Sequence, residues 1–203
     1  MPEAIPNQTA DQAVDYLFEG VSLASANPYL AAAMIVSGLL LLRLQYPQRF
    51  HMIPWSVVRR IAYPVIQRRI ERGWGGFPDA DLPEEQHLET VDQPPAVVQR
   101  ILEENGFTIE PLAAYRQDWT GANEHASLAY HYGPKLFPGA PSWLRERQVH
   151  VRLYPRDGGS KTALVGHDEY NSWRPDLVEE HLTDATMAVE PARTRVRKAL
   201  GQE

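Results

Sequence analysis

Five histidines in the second half of the chain are the residues whose types could do chemistry: His125, His131, His150, His167 and His181, with the carboxylates Asp168 and Glu169 beside one of them. Imidazoles on facing strands with a carboxylate nearby make a donor set for zinc or a similar cation. His150, His167 and His131 are the candidate ligands, and zinc is the cofactor they imply. The spacing is not diagnostic: the chain has no H-x-H, no H-E-x-x-H and no paired-cysteine knuckle. Arg152 shares a strand face with His150 and would repel a cation. The sequence reading is therefore a polar sheet face with surface histidines, no catalytic residue and no cofactor, with the metal site as the alternative. His167 beside Asp168 could exchange a proton, but no G-x-S-x-G nucleophile motif accompanies it. Gly158 and Gly159 read as turn chemistry, because no phosphate-loop pattern surrounds them. The chain has no cysteine, which excludes disulfides, thiol catalysis and Cys-ligated metal centres.

The elements that must position these residues follow from periodicity. In QVHVRLY, Val149, Val151 and Leu153 alternate with His150, Arg152 and Tyr154, a strand with two unlike faces. RDGGSK then marks a turn, and a second strand runs from Thr162 to Tyr170. With Gly158 and Gly159 at the turn, His150 faces His167, Val151 faces Gly166 and Leu153 faces Leu164, and His150, His167, Arg152 and Glu169 share one face. Pro155 requires a strand end or an edge. Upstream, PAVVQRILEEN reads as a helix opened by Pro95 and closed before Gly106. Residues 107–119 and 126–132 read as strands, and residues 175–200 as mostly helical. The fold class is α+β, a small domain mixing helices with an antiparallel sheet.

The first part of the chain has a different character. Residues 20–42 carry no charge, and as a helix they would span about 34 Å at 1.5 Å per residue, against a hydrocarbon core of about 30 Å. Residues 43–74 hold seven arginines against the single acid Glu71, a net charge of +6; residues 1–19 hold four acids and no base. The bias predicts a single-pass transmembrane helix with the N-terminus outside and the C-terminal domain cytoplasmic. The expected organisation is an acidic segment (1–19), the span (20–42), a basic amphipathic juxtamembrane segment (43–74), a Gly- and Pro-rich linker (75–84) and a soluble domain (85–203). In the juxtamembrane segment Val57, Val58, Ile61 and Val65 share a helical face, while Arg59, Arg60, Arg68 and Arg69 are the candidates for binding lipid headgroups or other anions. Residues 75–203 carry a net charge of −8, which disfavours nucleic acid there, although the arginines could meet phosphates.

The segment HVRLYPRDGG…VGHDEYNSWRP resembles an uncharacterised membrane-associated family of haloarchaea and their pleomorphic viruses and proviruses. The resemblance implies a membrane segment ahead of a small soluble domain, and an accessory or assembly role in a mobile element. The aromatic and charged run from His167 to Leu182 offers Tyr170, Trp173 and Arg174 as partner-binding residues, types enriched where interfaces are strongest. The reading from sequence is thus a membrane-anchored, non-catalytic module that binds lipid and a protein partner or a further copy of itself. A tethered metal-dependent enzyme and a membrane-proximal nucleic-acid binder are the alternatives.

Overall fold

The computed structural model describes residues 53–61, 82–111, 115–177 and 188–202, with positions 37–39, 41–43, 45 and 113. Two units emerge, Met1–Ile53 and Pro54–Glu203. The expected span at 20–42 lies almost wholly outside the described residues, as does most of the expected linker. Among the described residues no helix is long and apolar enough to cross a membrane.

The second unit is α+β. Its antiparallel sheet of five strands comprises β1 (His87–Val91), β2 (Thr108–Ile109), β3 (Ala126–Lys135), β4 (Arg145–Arg156) and β5 (Lys161–Tyr170), in the order β1-β5-β4-β3-β2. Helix α1 (Pro95–Glu104) has Pro95 in its first turn, where the missing N–H costs nothing. Helix α2 (Val189–Ala199) carries Arg197 and Lys198 in its last turn, cations suited to the negative end of its dipole.

The central hairpin has the register expected from its alternation. His150 pairs with His167, Val151 with Gly166 and Leu153 with Leu164. The loop is longer than the two-glycine turn, running from Asp157 to Ser160. It is centred on the same point, so the pairing is unchanged. Gly158 and Gly159 take φ of 66° and 94°, the left-handed region that glycine enters without a Cβ clash. Pro155 lies next to the end of β4, beyond the last residue paired with β3.

The period-2 alternation gives the sheet two unlike sides. On one, Leu128, Val151, Leu153 and Leu164 are fully buried, and Val98 and Leu102 of α1 and Ala192 and Val196 of α2 are buried with them. The other side carries Ser127, Gln148, His150, Arg152, Tyr154, His167 and Glu169, all buried as well. A layer of irregular chain covers it: Leu82, Trp119 and Ala122 pack on Tyr154, Ala163 and Val165.

Three expectations need correction. The polar face expected to carry surface histidines is covered, and His150 and His167 are buried on it. The strand expected over 107–119 is only Thr108–Ile109. Beyond it the Asp118 carboxylate accepts from the Thr120 N–H (3.0 Å), the Thr120 hydroxyl (2.7 Å) and the Ala122 N–H (3.1 Å), which winds the chain into a turn. Strand β1 was not anticipated; it pairs with β5 at the sheet edge.

Candidate functional site

The site lies on the polar side of the β4–β5 hairpin. His150 and His167 face each other across the strand pair, their ring centroids 5.8 Å apart and nearly perpendicular. Glu169 is two residues beyond His167, so the pleat puts it on the same face. One ligand atom from each of His150, His167 and Glu169 lies within 4.8 Å of the others. His150 Nδ1 is 3.2 Å from Glu169 Oε1, and His167 Nε2 is 3.0 Å from Glu169 Oε2. All three side chains are under one-tenth exposed.

The outward nitrogens are also held. His150 Nε2 is 2.6 Å from Ser127 Oγ on β3, and His167 Nδ1 is 3.1 Å from Gln86 Oε1, just ahead of β1. Gln86 Oε1 can only accept, so His167 donates Nδ1–H in this bond. Gln148 Nε2 donates to Glu169 Oε1 at 2.7 Å, while Gln148 Oε1 is buried with no hydrogen-bond partner.

Electrostatics set the protonation states. Burial, reinforced by the Arg152 guanidinium, pushes the His150 imidazole down to about 4 despite Glu169. Burial pushes the Glu169 carboxyl up, but hydrogen bonds from His150 and His167 outweigh it and hold the group well below the usual range. A neutral imidazole and an ionised carboxylate are the forms that ligate metals. The cation-repelling charge of Arg152 is met by Glu124, which it reaches through Nη1. Burial also pushes the Glu124 carboxyl up; Arg59 and Arg152, both ion-paired to it, outweigh that and keep it ionised.

The structure brings together His150 and His167 of the three histidines expected as ligands. His131 lies on β3 opposite Gln148, which in turn faces Glu169, so two strand spacings, about 9 to 10 Å, separate the backbones of His131 and Glu169. Glu169 takes the third place. Of the basic residues expected on lipid, Arg59 is 5% exposed and bound to Glu124 and the Ala113 carbonyl (3.3 Å). Arg60 is exposed, and Arg68 and Arg69 lie outside the described residues. The residues expected to meet a partner are largely inside: Trp173 donates its indole N–H to Glu110 at 2.7 Å, Arg174 pairs with Asp176, and Tyr170 lies under Arg147 at 4.6 Å.

The sequence already places Glu169 on this face, since H-x-E on a strand puts both groups on one side, but it does not single it out as a ligand. Ser127 and Gln86 were not recoverable from sequence, because they enter through the β3–β4 register and the lead-in to β1. No protein-family model, curated protein or solved structure matches this chain.

Proposed function

We propose that residues 54–203 form a metal-stabilised, non-catalytic module, tethered to a membrane by the uncharged stretch before it and serving protein assembly. The observation that supports it best is the pair of imidazoles whose inner nitrogens both address Glu169 while their outer nitrogens are bound by Ser127 and Gln86. Metal-ligating histidines are oriented in this way by outer-shell partners. The donor set of two nitrogens and a carboxylate, without thiolate, suits zinc and also manganese or ferrous iron. Gln148 Oε1, buried without a hydrogen-bond partner on the amide whose Nε2 reaches Glu169, is the candidate fourth donor. Two histidines and a glutamate also occur as catalytic ligands, so it is the burial of all three donors, rather than their type, that favours a structural role. An assembly role in a haloarchaeal virus or provirus, implied by the sequence resemblance, belongs to the same proposal.

The test is elemental analysis of the full-length, detergent-extracted protein beside His167→Ala and Glu169→Gln variants. One equivalent of zinc or manganese, lost in both variants, with a thermal midpoint that falls on chelation, is the expected result. Metal at background level in the wild-type chain after growth in metal-replete medium overturns the proposal.

A further inference from the structure

The helical turns over residues 55–61 are built inside out. Trp55 and Arg59, one turn apart, point inward at 6% and 5% exposure, while Val57, Val58 and Ile61 stand outward at 52%, 40% and 70%. A surface helix of a globular domain does the reverse, burying its apolar stripe and showing its arginines to water. Scattered exposed apolar side chains are ordinary, but three on one face of so short a segment form a patch.

The inversion is held by charge. Arg59 is fastened to Glu124, whose side chain is fully buried and shared with Arg152 of β4. Rotating the helix to hide Val57, Val58 and Ile61 would tear Arg59 away and leave Glu124 with one buried partner instead of two. Breaking a buried pair in this way is strongly unfavourable. The apolar face is therefore kept outward by the same ion-pair chain that borders the His150 face of the sheet.

We infer that Val57, Val58 and Ile61 seat this helix in the headgroup region of a bilayer rich in anionic lipid. Three observations select that occupant over a second protein surface. Exposed Arg60 flanks the patch; the surrounding segment, residues 43–74, carries a net charge of +6, of which five remain with Arg59 committed to Glu124, the complement of anionic headgroups; and a 23-residue uncharged stretch ends at Leu42, only twelve positions before Pro54. The inference takes the tether from the proposed function but not the metal.

The chain has no cysteine, so single labels are clean. Val57→Cys, Ile61→Cys and, as a hairpin-loop control, Ser160→Cys are introduced into the full-length protein. Each carries an environment-sensitive fluorophore in nanodiscs holding one copy, made with phosphatidylglycerol or with phosphatidylcholine alone. Blue-shifted emission at positions 57 and 61, with loss of quenching by aqueous iodide in the anionic discs and an unprotected label at 160, is the expected outcome. Labels at 57 and 61 that stay open to iodide in anionic discs overturn it, as does protection that appears only when two copies share a disc. Carbonate extraction of the same proteins reports the tether separately. A chain that resists extraction while its labels stay aqueous keeps the tether and loses the docking face. A chain that washes off after showing protected labels keeps the docking face and loses the tether.

Discussion

Ser127 Oγ and His150 Nε2 stand 2.6 Å apart on neighbouring strands, with Ser127 two positions along β3 from Ala129, the residue directly opposite His150. The serine hydroxyl both donates and accepts, so it serves His150 in either tautomer. Ser127→Ala leaves the three ligands in place and removes one outer-shell bond. Metal affinity is expected to fall about 10- to 100-fold. A competition titration against a chromophoric chelator reads this, and an affinity equal to wild type would show that the serine does not orient the ring.

Glu124 is the shared anion of two buried arginines. Glu124→Gln keeps the shape and removes the charge, leaving Arg59 and Arg152 buried without a carboxylate between them. The expected cost is about 3 to 5 kcal/mol, read from the midpoint of denaturant unfolding. Arg59→Met leaves the Arg152–Glu124 pair whole and should cost less than the glutamine variant.

The metal-free protein should lose stability on acidification in a defined window. His150 is depressed in the folded state to about 4, below its ordinary value of about 6.5. The unfolded chain therefore takes up this proton first. The stabilisation is complete above pH about 6.5 and is lost as pH falls toward 4, on the order of 3 kcal/mol in all. Glu169 is also depressed, so its contribution is present above its ordinary carboxyl value and is lost further into acid. Thermal midpoints of chelator-treated wild type and His150→Gln between pH 7 and 4 test this: the variant should show a shallower fall in the upper part of the range.

Gly166 faces Val151 beside the histidine pair, and a Cβ there would come within 2.3 Å of the His150 carbonyl oxygen. Gly166→Ala must push β4 and β5 apart at the row next to His150 and His167. A loss of about 1 to 3 kcal/mol is expected, together with weakened metal binding. Unchanged unfolding and metal content would mean that the strands absorb the methyl group without moving the imidazoles.

The hairpin was legible because two strong local signals agreed: unbroken alternation from Val149 to Tyr154 and paired glycines at the turn. Helix α1 was legible from Pro95, its apolar spacing and the glycine after it. What escaped was non-local. Strand β1 is only five residues long and contains His87 and Glu89, and its partner lies more than seventy positions away on β5. Arg59 looks like any arginine of a basic segment until Glu124, 65 positions later, claims it. Trp173 and Arg174 have the composition of an interface, yet their partners Glu110 and Asp176 make them part of the interior and of a local turn. Residue type states what a side chain can do; only the register decides what it meets.

The proposed ligands His150, His167 and Glu169 sit on one hairpin, whereas Gln86 joins from 81 positions away. That difference predicts an order of assembly in time. A hairpin pairs within about 1 to 10 μs, so the three donors are expected to gather before the early part of the domain closes over them. On the proposed function, a cation caught then would be held by an open face and would exchange freely. Once residues 82–87 and 115–125 settle, exchange has to wait for that covering layer to lift, and the sheet itself need not open. Turnover of bound metal would then report the opening rate of the irregular layer rather than the unfolding rate of the domain.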